Sequence, residues 1–150
     1  MRPIEFRVRD KIRNRYVEND VADLALDLRN GNVLFGDLGH DDSIVNVTDD
    51  VLLEQYTGLK DKNGSKIFEG DILRITEMSE GYKSAELEVK EFKAPVVFDD
   101  YGWIVYDKED TGYPLVILDR AFDSIGADTE IEILGNIYDN PELLKEGAAE

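Results

Sequence analysis

The chain of 150 residues has no cysteine and a single histidine, His40. Disulfides, thiolate metal sites and cysteine nucleophiles are therefore excluded, and one imidazole cannot build a two-histidine zinc motif within one chain. No apolar run approaches the ~20 residues that a membrane-spanning helix needs. The opening MRPIEFRVRD is charged throughout and lacks the apolar stretch of a secretory signal. The expectation is a soluble cytoplasmic protein with no membrane contact.

Basic residues are also scarce, 17 Lys and Arg against 34 Asp and Glu, for a net charge of -17. That exceeds the ~2–8 charges that suffice to keep a small domain in solution. Passive contact with nucleic acid or an anionic membrane through the average surface is disfavoured. The few bases are unevenly placed. Residues 1–18 carry Arg2, Arg7, Arg9, Lys11, Arg13 and Arg15 against Glu5, Asp10 and Glu18. This basic edge on an acidic body would pack beside acidic neighbours of its own chain or a sister subunit, or else touch nucleic acid. Because the same segment alternates apolar residues as a structural strand does, the packing role is preferred.

What the chain does have is hydrophobic content, 42% of residues, arranged mostly with period two. Ile4, Phe6 and Val8 alternate with Glu5, Arg7 and Arg9, predicting a strand with one buried face. Leu24, Leu26 and Leu28 repeat the pattern, and Arg29-Asn30-Gly31-Asn32 then supplies a hairpin turn before Val33-Leu34-Phe35. Short strands are further predicted at Ile44–Val47, Val51–Thr57, Ile72–Thr76, Leu87–Val89, Val96–Phe98, Trp103–Tyr106, Leu115–Leu118 and Ile131–Ile137. Polar loops fall at 36–50, 77–85 and 107–112, and Arg120–Ile125 reads as one helical turn. Asn140-Pro141-Glu142 combines a capping residue, proline and an acid, the start of a short C-terminal helix. Many short strands with little helix mean a mainly β protein, an antiparallel barrel or sandwich. The expected organisation is an N-terminal β subdomain over 1–54, a second barrel-like unit with its helix over 55–146, and a frayed tail at 147–150.

Catalytic chemistry finds little to stand on. There is no G-x-G-x-x-G, and Gly58 to Lys66 has the wrong spacing for a phosphate-binding loop. His40 lies beside Asp41, Asp42 and Ser43, but sequence neighbours do not adopt triad geometry, so a solvated loop histidine is expected. The acid clusters Asp41/Asp42, Asp49/Asp50, Asp99/Asp100 and Asp107/Glu109/Asp110 match no calcium-loop spacing. Tyr101, Trp103, Tyr106 and Tyr113 are flanked by acids rather than bases, which argues for packing rather than a base-stacking platform. No catalytic, metal or cofactor residue is assigned.

Two stretches carry a resemblance. Gln55–Asp71, QYTGLKDKNGSKIFEGD, and Leu134–Leu144, LGNIYDNPELL, together with the N-terminal IEFRVRDK, resemble the YopX-like proteins of bacterial phages and prophages. The likeness runs in order along almost the whole chain, with 16–50 and 77–130 contributing little. It implies a β-rich protein whose C-terminal part is a small SH3-like barrel, of phage or prophage origin; with the cytoplasmic expectation above, the location would be the bacterial host cytoplasm. It brings no activity with it. The motif residues also have direct physical readings. Gly58, Gly64 and Gly70 suit positive-φ turns, and Asp61 can cap the Asp-Lys-Asn-Gly turn with its own carboxylate. Tyr56, Leu59, Ile67 and Phe68 would hold the arm on the barrel, and Leu143 and Leu144 would dock on the same surface. The alternative is a binding surface built from Gln55, Tyr56, Thr57 and Asp61.

The expected function is a non-enzymatic, self-associating interaction module of a phage or prophage, with a homo-oligomer as its state and a host or phage protein as a further partner. Arg7, Arg9, Arg13, Gln55, Tyr56, Thr57 and Asp61 form the candidate interaction surface. One alternative is an acidic decoy that imitates DNA toward a host protein; another is nucleic-acid binding through the basic N-terminal strand.

Overall fold

A computed structural model describes residues 3–18, 23–36, 43–80, 86–100, 102–119 and 127–145. His40, Asp41, Asp42, Tyr101, the predicted turn at Arg120–Ile125, residues 81–85 of the predicted loop and the tail from 146 lie outside the described residues. In chain order the strands are β1 (Phe6–Asp10), β2 (Arg15–Tyr16), β3 (Asp23–Leu26), β4 (Val33–Gly36), β5 (Val45–Asn46), β6 (Val51–Lys60), β7 (Lys66–Phe68), β8 (Asp71–Glu80) and β9 (Leu87–Pro95). They continue as β10 (Val97–Asp99), β11 (Gly102–Tyr106), β12 (Gly112–Pro114), then helix α1 (Leu115–Asp119) and β13 (Ala127–Asn136). The class is mainly antiparallel β, with a curled half-barrel sheet and one short helix.

The chain divides into two compact units, Glu5–Gln55 and a larger one of Met1–Ile4 with Tyr56–Glu150. Within the smaller unit, β1 pairs with β2 and with the first half of β6, Phe6 opposite Gln55 and Asp10 opposite Val51. The β3–β4 hairpin sets Leu26 opposite Val33, and β5 adds to β4. Gly31 takes a φ of 78° in that turn, and the Asp27 carbonyl accepts its N–H at 2.7 Å. Leu28 falls in the turn rather than on the strand and is exposed.

In the larger unit, β8 lies between β13 and β9, and β10, β11 and β12 form a second sheet. The core is aliphatic: Ile67, Leu73, Ile75, Ala94, Val96, Val105, Leu115 and Ile131 are buried together, with Leu59, Phe92, Trp103 and Tyr113 packed around them. Alternate residues of β8 and β13 reach this core, as the period-two pattern requires.

Several expectations are corrected. Leu115–Leu118, read as a strand, lies in α1. An apolar run this short does not distinguish the two states. Spacing does, because Leu115 is buried and Leu118 half-buried while Val116 and Ile117 are exposed, the i, i+3 face of a helix. Glu77–Glu80, expected in a loop, extend β8 and pair with Leu87–Lys90. Gly112–Pro114, expected at a loop end, pair with Ile104–Tyr106. The C-terminal helix is a 3₁₀ turn over Pro141–Leu144, and Asn140 makes no side-chain cap to it. Its Oδ1 instead accepts the N–H of Asn136 at 3.3 Å, so the side chain closes the preceding turn.

Candidate interaction sites

The β1 arginines are separated by their surroundings. Arg7 donates to Glu54 Oε2 through Nε at 2.9 Å and a terminal nitrogen at 2.6 Å, with the Glu54 side chain almost wholly enclosed. Arg9 is only 2% exposed. It donates to the backbone carbonyl of Asn14 at 3.1 Å and to Asn14 Oδ1 at 2.8 Å. Tyr16 lies within cation–π reach of both, its ring centroid 4.6 Å from Arg7 and 4.9 Å from Arg9. The Tyr16 hydroxyl donates to Glu54 Oε1 at 3.0 Å. Burial pushes the Tyr16 pKa above the ordinary phenol range; the Arg7 charge opposes this, while the Glu54 charge and hydrogen bond reinforce it.

The expected alternation of β1 fails at Arg9, which is buried while Phe6, Arg7 and Val8 are half-buried. A guanidinium tolerates this because its planar face stacks on an aromatic ring while its edges donate. Arg13 does not join the cluster. It sits exposed in the β1–β2 turn and pairs with Asp10 at 2.9 Å. Asp10 Oδ1 also accepts the N–H groups of Ile12 and Arg13, so Arg13 N–H donation and charge hold the Asp10 carboxyl below its usual range. Arg13 borders a shallow cleft with Ile12, Val17, Leu24, Phe35 and Val47.

Tyr16, Asn14 and Glu54 complete the arginine cluster and were not read from sequence. The available signal was Glu54 itself, a carboxylate ending the strand-forming run Val51-Leu52-Leu53. Gln55 is half-buried opposite Phe6.

In the larger unit, the other sequence candidates build an arm. Tyr56 is buried, packs on Phe68 with centroids 5.6 Å apart, and has the Lys66 ammonium over its ring. Thr57 donates its hydroxyl to the Ile67 carbonyl at 2.8 Å and accepts the Leu59 N–H at 3.2 Å. Asp61 is 8% exposed. Its Oδ1 accepts the N–H groups of Asn63 and Ser65, each at 2.9 Å, and its Oδ2 accepts Ile133 N–H at 3.1 Å. Burial alone would raise its pKa, but the N–H donors of Ile133, Ser65 and Asn63 outweigh it and hold the carboxyl below its ordinary value. One carboxylate thus closes the 61–65 turn and ties it to β13. Gly64 completes the turn with a φ of 81°. Asp71 similarly accepts the Phe68 N–H at 2.8 Å where the chain enters β8.

The acids beside the aromatics are also engaged within the fold. Asp99 accepts the Tyr106 hydroxyl at 2.5 Å. Asp107 accepts the N–H groups of Glu109 and Thr111 and, at 3.2 Å, the Tyr113 hydroxyl. Trp103 packs edge-on against Phe98. Among the described residues, no group of three or more His, Asp or Glu side chains is placed to hold a metal ion, and no helix is long and apolar enough to cross a membrane.

The family model described as YopX protein matches residues 5–145. The chain belongs to the YopX family. Its architecture is similar to the crystal structure of protein yopX from Bacillus subtilis, at TM-score 0.54 and 24% identity, covering 97% of this chain and 100% of that one. It is also similar to protein EF1440 from Enterococcus faecalis, at TM-score 0.55 and 25% identity, with the same coverage of 97% and 100%. No curated protein matches the chain. In this YopX-family chain Asp61 and Gly64 form a turn and Ile67 is buried in the core. Asp61, Gly64 and Ile67 are the means by which Tyr56–Asp71 folds back along the larger unit.

Proposed function

We propose that this YopX-family protein is a non-enzymatic phage or prophage accessory protein of the host cytoplasm that works by self-association. The observation that carries the reading is the contrast between its polar and apolar groups. The charged side chains singled out from the sequence, Arg7, Arg9, Asp61, Asp99 and Asp107, are engaged in the fold. Large apolar side chains are left outside it, among them Leu87, Val89, Phe98, Val116 and Ile117 of the larger unit. A protein that spends its carboxylates on turns and exposes aliphatic strand residues is equipped to be covered by another protein.

Engagement of Arg7 and Arg9 also leaves β1 little to offer a phosphate backbone, which sets the nucleic-acid reading behind this one. The phage setting rests on the resemblance carried by the YopX-like motifs. Light scattering of the intact chain over a dilution series tests the reading. A mass above that of one chain, falling on dilution, is expected; a single-chain mass at every concentration overturns it. Replacing Arg7 and Arg9 would confound that test by dismantling the small unit, so disruptive variants belong on exposed positions.

A further inference from the structure

We propose that the partner is a second copy of the chain, joined edge to edge through β9 with Val89 on the two-fold axis. This rests on the self-association reading and specifies its surface. Among the described residues β9 pairs with β8 alone, so its other side is a sheet edge. Such an edge presents backbone donors and acceptors that a second strand can satisfy. Its first five residues, Leu87–Glu91, are all exposed, whereas Phe92 onward is covered. Leu87 and Val89 are 63% and 56% exposed, and they lie on one face of the strand with Glu88 between them.

Symmetry restricts the register. Alternate residues of a strand direct their backbone groups to opposite edges. Two copies of one edge related by a two-fold axis must therefore place some residue opposite itself. With Glu88, Lys90 or Glu91 on the axis, a charge meets its own kind. With Leu87 there, Glu86 meets Glu88. With Val89 there, Glu88 of each copy lies opposite Lys90 of the other, and valine meets valine. Val89 is also the midpoint of the exposed run. Leu87 then faces Glu91, which already pairs with Arg74 of its own sheet at 3.4 Å.

The neighbouring strand agrees. Met78 of β8 stands opposite Val89, and it is half-buried. Pairing would create a continuous apolar row, Met78, Val89, then Val89 and Met78 of the second copy, across a six-stranded sheet built from two copies of β13–β8–β9. Two ion pairs would flank that row on the opposite face. Cross-strand pairs of both kinds favour association, and the two-fold closes the assembly at a dimer.

Charge exchange tests this. Light scattering should give twice the chain mass for the unmodified protein. Glu88→Lys and Lys90→Glu should each return the mass to one chain, because each sets like charges opposite at both flanking positions. Mixing the two variants should restore a dimer, since both flanking contacts then join unlike charges. Circular dichroism checks that each variant is folded; Glu88 lies opposite Ser79 in its own sheet, so Glu88→Lys sets no like charge directly opposite there. An unmodified dimer that is indifferent to Glu88→Lys, or folded variants that do not recombine, would overturn the β9 register and leave self-association standing. An unmodified protein that is monomeric throughout overturns both.

Discussion

The two units solve the same problem with different materials. In the larger one, burial is mostly aliphatic, with Ile67, Ile72, Leu73, Ile75, Val96, Val105 and Leu115 essentially inaccessible. In the smaller one, the buried described residues are Val33, Arg9 and Glu54. A unit of this size has too little volume to enclose many aliphatic side chains. It substitutes a stack of guanidinium, phenol and carboxylate, in which Arg7 pairs with Glu54 while Arg9 donates to Asn14 and lies over the Tyr16 ring. Aliphatic packing tolerates imprecision, because dispersion is non-directional. The charged cluster does not, since loss of one partner leaves the others buried and uncompensated.

That contrast is open to direct attack. The largest effect is expected from Glu54→Ala, which strips both Arg7 and Tyr16 of their acceptor and should cost about 3–5 kcal/mol, the range for breaking an enclosed ion pair. Denaturant unfolding measures it, and hydrogen exchange should localise the loss to β1 and β6. A loss comparable to a surface substitution would remove the distinction between the units. Leu115→Ala in the aliphatic core should cost about 2–5 kcal/mol through lost burial and the cavity left behind, with the change reported by fluorescence of Trp103, which packs on that core.

Asp61→Ala comes next, at about 2 kcal/mol, because the N–H groups of Asn63, Ser65 and Ile133 lose their acceptor. Its measurement is the thermal midpoint, with faster exchange of the Ile133 amide as the local signature. The two sites should also separate by pH. Folding raises the Tyr16 pKa above its ordinary 10.0. Its contribution is complete below that value and is lost as pH rises through the folded one. Asp61 runs the other way. Its pKa is lowered from 3.8, so its contribution is complete above that value and lost as pH falls through the folded one. Tyr16→Phe should flatten the alkaline limb of a stability–pH curve and Asp61→Asn the acid limb; exchange of the two effects would refute the assignment. The smallest effect belongs to Arg13→Ala, whose exposed pair with Asp10 should leave the thermal midpoint unchanged.

Legibility followed the range of the interactions. The Asp27–Asn32 hairpin, the Asp61 turn and the strand character of β1, β6, β8 and β13 depend on residues close in the chain, and their residue types announce them. Asp61 was read as a turn-capping carboxylate, yet its bond to Ile133 crosses 72 positions and had no sequence signal. Leu115–Leu118 misled for a related reason: an apolar tetrad is compatible with strand or helix until a core on one side selects the 115/118 face. Arg7 and Arg9 were grouped with Arg13 because all three are basic. Only folding separated them, when Tyr16 and Glu54 arrived beside the first two and solvent remained around the third.

By itself, then, the chain determined what local chemistry can decide: a β protein, its turns, its acidity, its lack of thiol chemistry and its YopX-like motifs. Tertiary structure decided which charges are structural and, among the described residues, which stretch of β9 is exposed. Burial and cross-strand registry depend on residues far apart in sequence, and the free energy of a charged side chain depends on whether water or a partner surrounds it.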